Sequence, residues 1–173
     1  MPFVQTLNKV SRDYMNATAV TEQVTSIMNR PNLLVYYTAD EPDGSEDPTY
    51  APAVAAALIK SLDPYRPASV CLNCQNYLFD RYAFGSPIVM PDVYPIGINP
   101  NYSVMYDTPC SVDQGCCGCD NCVGDFEDIR NRLEDFAQQL QWLGWDRNTT
   151  LWDVPQGFGS QQYVSIATDS QLF

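Results

Sequence analysis

The sequence predicts an α/β fold, a parallel sheet covered by helices, and three observations predict it. Short apolar runs of strand length recur along the chain, and each empties at its C-terminal end into polar residues. Stretches with helical spacing of apolar residues separate these runs, giving the order α-β-α-β-α-β-loop-α-β. No two strand candidates are joined by a hairpin turn, so the strands return by crossovers and run parallel.

Taken in order, residues 1–16 show no sustained periodicity. From Thr18 to Asn29, Val20, Val24, Ile27 and Met28 form a helical stripe that stops before Pro31. Leu33-Leu34-Val35-Tyr36-Tyr37-Thr38-Ala39 then reads as a buried strand opening into Asp40-Glu41-Pro42-Asp43-Gly44. The chain is organised around this stretch. In a helix-covered parallel sheet charges appear only where strands end, and there they converge from neighbouring strands. Thr49 to Asp63 predicts a helix, with Thr49 as cap, Pro52 in the first turn, and Val54, Leu58 and Leu62 on one face.

Ala68–Asn73 predicts a second strand with a polar end at Asn73, and residues 77–83 a short helical or irregular piece. Pro87–Met90 predicts a third strand, closing at Asp92 and Tyr94. Residues 96–122 contain Gly, Pro, Asn and Cys without a repeating pattern. They read as one long loop, a cysteine-rich insertion at about 96–124 within a single domain spanning 1–173. Asp125 to Leu143 predicts the strongest helix, with Phe126, Ile129, Leu133, Phe136, Leu140 and Leu143 on one stripe, acids in its first turn and Gly144 at its exit. Thr150–Val154 predicts a fourth strand that ends at Pro155-Gln156.

Composition excludes several classes of function. At 173 residues the chain can fill one core, and nine basic against twenty-one acidic residues give a net charge of −12. Such a surface repels phosphate backbones and anionic lipid, so neither nucleic acid nor a membrane is an expected partner. No window approaches the roughly 18 apolar residues of a membrane span. Residues 1–9 lack the apolar core and cleavage site of a signal peptide.

Other features nevertheless predict a secreted protein. Seven cysteines include Cys110, Cys116, Cys117, Cys119 and Cys122 in one short stretch, and acceptor triplets begin at Asn16, Asn101 and Asn148. The expectation is a disulfide knot, with Cys74 reaching it or another loop. Zinc is the alternative, because Cys119 and Cys122 have two-residue spacing. No matching pair exists, however, and histidine is absent. Cys71, inside a strand, reads as a small core residue.

Asp40 and Glu41 are adjacent, so on a regular strand their side chains leave on opposite sides. Asp92 and Asp153 fall near later strand ends, with Asn73, Tyr94, Trp152 and Gln156 close by in sequence. Carboxylates, amides and aromatics around one basin suit a sugar. Ring faces stack on C–H surfaces, bidentate groups take hydroxyls, and a buried acid donates a proton. The alternative is that Pro42-Asp43-Gly44 is a turn and the acids its solvated rim. Without histidine the chain builds no Ser-His-Asp or Cys-His site, and it has no Gly-rich phosphate fingerprint, so no cofactor is expected. A metal held by Asp40, Glu41 and Asp43 ranks lower, because adjacent strand residues diverge rather than chelate.

On these residues the sequence resembles the (β/α)₈-barrel glycoside hydrolase superfamily, in particular large secreted fungal catalytic-core proteins. Tyr36-Tyr37-Thr38-Ala39-Asp40-Glu41-Pro42-Asp43-Gly44 looks like the end of the fourth barrel strand, where many retaining members carry an acid/base glutamate before proline. Ile88-Val89-Met90-Pro91-Asp92-Val93-Tyr94 looks like the sixth strand end, and Leu151-Trp152-Asp153-Val154-Pro155-Gln156 like the seventh. The resemblance covers about residues 17–165 and implies strands four to seven of a partial barrel, a fragment without strands one to three and eight. It implies hydrolysis of O-glycosidic bonds in an oligosaccharide or polysaccharide. Glu41 is then the acid, Asp92 the next carboxylate, and Asp40, Asn73, Tyr94, Trp152, Asp153 and Gln156 line the sugar site. The pattern departs at the seventh strand end, where Gln156 stands in place of the nucleophilic glutamate. Two further classes stay open: a non-catalytic carbohydrate-binding or structural barrel, and a small complete α/β domain with a carboxylate metal site.

Overall fold

A computed structural model describes residues 3–6, 12–96, 99, 101–103, 107–109 and 123–156. Its strands are β1 (Phe3–Thr6), β2 (Leu33–Asp40), β3 (Ala68–Leu72), β4 (Ile88–Pro91), β5 (Tyr102–Ser103), β6 (Thr108–Pro109) and β7 (Thr150–Leu151). Its α-helices are α1 (Ala17–Ile27), α2 (Ala51–Leu62), α3 (Phe79–Tyr82) and α4 (Glu127–Leu143).

Five strands form one sheet in the order β1-β2-β3-β4-β7, and every pairing in it is parallel. Because spatial order follows chain order, each crossover steps the same way, and right-handed crossovers then place their helices on one face. The core agrees. Val20 and Val24 of α1, Ala55 and Ile59 of α2, Phe79 of α3, and Phe136 and Leu140 of α4 pack with Tyr36, Ala39, Val70 and Val89 of the strands. On the opposite face Val35, Cys71, Ile88 and Met90 form a second cluster with Tyr37, Trp152 and Val154. A parallel sheet with helices on one side and an apolar opposite face is consistent with part of a (β/α) barrel.

Several expectations change. β1 adds a fifth strand in a region without periodicity; four residues are too short to show a pattern, and the partner strand lies some thirty residues away. The long loop contains a small antiparallel pair, β5 with β6, near Asp107, whose φ of 50° lies in the left-handed region that Asp tolerates. The five cysteines from Cys110 to Cys122 lie outside the described residues.

α2 buries Ala51, Pro52, Ala55, Ala56 and Ile59, while Val54 is 58% exposed and Leu58 and Leu62 sit at the margin. Small side chains let α2 approach its neighbours closely, so the alanines rather than the larger residues face inward. Tyr50, not Thr49, is its cap, without a side-chain bond. In α4 the buried line is Asp128, Arg132, Phe136 and Leu140, four residues apart, and Phe126 is exposed. Asp128 takes the N–H groups of Val123, Gly124 and Asp125 at the helix start, and Arg132 donates to the Asn73 carbonyl at 2.7 Å. Those bonds satisfy charged groups that apolar patterning assigns to solvent. Gly144, at φ 71°, ends α4 as expected, and the Trp145 N–H returns to the Leu140 carbonyl.

Candidate functional site

The acids gather at the C-terminal edge of the sheet, and local irregularities of β2 decide which way they face. Between β2 and β3 the register pairs Tyr37 with Ser69 but Ala39 with Val70, so Thr38 is an extra residue, a β-bulge. Past it, Ala39 faces the helices and Asp40 pairs with Cys71 on the opposite face. Tyr37 and Asp40 therefore share a face although three residues separate them, and the Tyr37 hydroxyl donates to Asp40 Oδ1 at 2.8 Å. Cys71 packs on the same face beside Tyr37.

Glu41 continues the ladder for one more bond, its N–H donating to the Cys71 carbonyl at 3.0 Å. Its φ is then 49°, in the left-handed region that side-chain-bearing residues rarely adopt. This turn cancels the divergence expected of adjacent residues. The Glu41 carboxyl faces Asp92, which follows β4 on the parity of Ile88 and Met90.

Asp92 is 2% exposed, and no N–H or O–H reaches either carboxyl oxygen. Two carboxyl oxygens bond each other only through a proton that one of them holds. Burial first, then the Glu41 carboxyl and the charges of Asp40 and Asp43, push Asp92 well above the usual carboxylate range. Tyr94 belongs to the same basin: burial, followed by Asp92, Cys71, Glu41 and Asp40, raises its phenol. Burial also raises Tyr37 and the Cys71 thiol.

The loop after Glu41 is a built wall. Asp43 is 3% exposed, and its two oxygens accept the N–H groups of Asn73 (3.0 Å) and Cys74 (2.7 Å) at the end of β3. Burial lifts its pKa to about 6 against those bonds. Asp47, buried as well, pairs with Arg12 at 3.0 Å and accepts from the Tyr14 hydroxyl, while its carbonyl accepts from Tyr82 at 2.7 Å. A Cβ at Gly44 would lie 2.7 Å from Asn73 Nδ2, so a side chain there would push the Asn73 amide aside.

The structure thus brings together Asp40, Glu41, Asp92 and Tyr94, with Asn73 at the rim, its side-chain oxygen buried without a partner. Trp152 packs on the same face as Cys71 and Met90. Asp153 alternates with Trp152 and Val154 and falls on the other parity; burial raises its pKa, countered by the Val154 N–H. Gln156 is buried and spends its amide on the Ile96 main chain, accepting at 3.0 Å and donating at 3.2 Å. Asn16 caps α1 by accepting from Thr18 and Ala19, and Asn101 and Asn148 are exposed. Cys74 is disulfide-bonded, and Cys71 is a free buried thiol.

Sequence reasoning missed Tyr37 and Cys71 as members of the polar cluster. Their signal was parity: Cys71 lies one alternation before Asn73, and Tyr37 shares its face once the bulge is known. Among the described residues no helix is long and apolar enough to cross a membrane. Asp40, Cys71 and Asp92 each offer a ligand atom, and the three atoms lie within 4.8 Å of one another.

No protein-family model matches the chain, and no curated protein matches it in sequence. Among solved structures it is similar to the GH2 beta-galacturonidase from Eisenbergiella tayi bound to galacturonate, at 18% identity and a TM-score of 0.49. That match covers 90% of this chain and 24% of the galacturonidase.

Proposed function

We propose that this chain carries the acid site of a glycoside hydrolase-like barrel and cleaves O-glycosidic bonds by carboxylate general-acid catalysis. One observation carries the proposal: Glu41 and Asp92, from different strands, meet at the C-terminal edge of a parallel sheet with Asp92 buried and unserved by any donor. In a pair so placed, burial and the facing carboxyl favour a carboxyl that keeps its proton, and a proton is what a departing sugar oxygen requires. Glu41, the more exposed member, delivers it, and Asp92 keeps it available. Tyr94 and Trp152 supply ring faces, and Asp40 and Asn73 supply polar groups for hydroxyls. The substrate is an oligosaccharide or polysaccharide. The Cys74 disulfide supports an oxidising, extracellular setting of the kind the fungal barrel proteins occupy.

One observation favours a second reading, non-catalytic sugar binding. Among the described residues the β7 end offers no acid to this basin, since Gln156 holds Ile96 and Asp153 stands on the other parity.

Hydrolysis of a panel of natural glycans and of aryl glycosides with acidic leaving groups separates the readings. Glu41→Gln should lose about 10²–10⁴-fold on natural glycans and much less on the activated aryl substrates, whose leaving groups need no proton. Wild type that binds glycans but cleaves neither set establishes the binding reading. Equal losses on both sets would remove Glu41 as the acid.

A further inference from the structure

We propose that Asp40, Cys71 and Asp92 form a binding site for a thiophilic divalent cation, of which Zn²⁺ is the physiological candidate. This goes beyond the hydrolytic reading and does not rest on it. Two separate observations support it. The first is convergence: one oxygen from Asp40, the Cys71 sulfur and one oxygen from Asp92 lie within 4.8 Å of one another, contributed by β2, β3 and the segment after β4. The second is an unmet need: Asp92, 2% exposed and placed against these two groups, has no donor on either oxygen. A buried carboxylate without donors is balanced by a proton or by a cation, and the thiol beside it marks which cations suit.

The ligand set is chemically selective. One thiolate with two carboxylates suits Zn²⁺ or Cd²⁺ over Mg²⁺ and Ca²⁺, which prefer oxygen alone. Tetrahedral zinc with these bond lengths holds its O and S ligands about 3.6 Å apart, so the site needs a contraction of about an ångström from its outer limit. On binding, the S–H bond of Cys71 breaks and its proton leaves to water, the proton shared by Glu41 and Asp92 leaves Asp92 for Glu41 or water, and the sulfur and carboxylate lone pairs bond the metal. The Tyr37 hydroxyl, which donates to Asp40 at 2.8 Å, orients that ligand from behind. Asp40 is part-exposed and provides the way in, and a net charge of −12 concentrates cations around the protein. Three protein ligands leave a fourth position for water. Cation and shared proton compete for Asp92, so the metal form is the hydrolytically silent one.

The test titrates the full chain, oxidised so that the Cys74 disulfide persists, with Co²⁺ alone and follows the thiolate-to-cobalt charge-transfer band. One equivalent should develop the band, Zn²⁺ should erase it, and Mg²⁺ in excess should not. Cys71→Ser should abolish the band, and Asp92→Asn and Asp40→Asn should each weaken Co²⁺ binding by about tenfold or more. Tyr37→Phe should weaken it by about tenfold with the band retained. If Cys71→Ser does not fold by circular dichroism, the two aspartate variants, which keep the thiol, decide the question. No band in wild type, a band unchanged in Cys71→Ser, or affinities unchanged in both aspartate variants would overturn the site. These are spectroscopic outcomes, so they stand whether or not the protein hydrolyses any glycan.

Discussion

Asp43 sets two physical effects against each other, and substituting it by asparagine measures which wins. Burial disfavours its charge; the N–H groups of Asn73 and Cys74 favour it. With burial ahead, the folded pKa is about 6 against a reference of 3.8. Below about pH 3 the carboxyl is protonated in both states and stability does not depend on it. Between pH 4 and 6 the unfolded chain ionises while the folded one holds its proton, so the folded state binds more protons and stability falls as pH rises. A rise from 3.8 to about 6 is worth about 3 kcal/mol, all of it lost by pH 7. The substituted amide cannot ionise, but it turns an NH₂ toward one of the two N–H groups, a pH-independent cost of about 1–3 kcal/mol. Urea unfolding of Asp43→Asn and wild type under non-reducing conditions, across pH 4–7, yields the difference, in which the groups that do not feel the Asp43 charge cancel and Asp92, which does, keeps a smaller part. The variant should be the less stable at pH 4 and should gain about 2.4 kcal/mol on wild type by pH 7. A gap that widens with pH would show that the two N–H bonds prevail and that Asp43 sits below 3.8, refuting the reasoning.

Two further predictions concern how the site is held. Arg132→Met removes the donor at 2.7 Å from the Asn73 carbonyl and should cost about 1.5–3 kcal/mol in urea unfolding; unchanged stability would mean that this buried bond contributes nothing. Deleting Thr38 removes the bulge residue while keeping Tyr37, Ala39 and Asp40 on their present faces, whereas deleting both Thr38 and Ala39 places Asp40 directly after Tyr37 and sends it toward the helices. The single deletion should unfold cooperatively and the double deletion should not, by circular dichroism melts; the opposite ranking would show that the bulge does not set the register.

What was legible in the sequence was whatever depends on near neighbours. Val20, Val24 and Ile27 of α1 and Phe136 and Leu140 of α4 form stripes because a helix repeats within four residues, and both stripes are buried. Strands β2, β3, β4 and β7 are visible for a similar reason, as apolar runs bounded by polar ends. β1 was not, since its place depends on pairing with Leu33–Tyr37 and not on its own four residues. Arg132 was hidden for the same reason: its partner, the Asn73 carbonyl, belongs to another element, and a charged residue looks solvent-facing until that partner is known.

The site itself depends on the two places where the backbone departs from regularity. On an unbroken strand Asp40 and Glu41 diverge, and the basin receives at most one of them. The bulge at Thr38 brings Asp40 onto the face of Tyr37 and Cys71, and the left-handed turn at Glu41 swings the next carboxyl toward Asp92 instead of toward the helices. Neither departure is written in residue type, because Thr38 is an ordinary strand residue and glutamate has no preference for positive φ. A left-handed glutamate costs free energy of order 1–3 kcal/mol, and it persists only because its surroundings over-determine it. Here the Glu41 N–H is fixed to Cys71, the Glu41 carbonyl accepts from Ser45, and Asp43 and Asp47 clamp the loop on either side of the turn. A solvated rim would need none of these bonds. A loop that holds a strained carboxylate against a buried one has its rigidity directed at that contact.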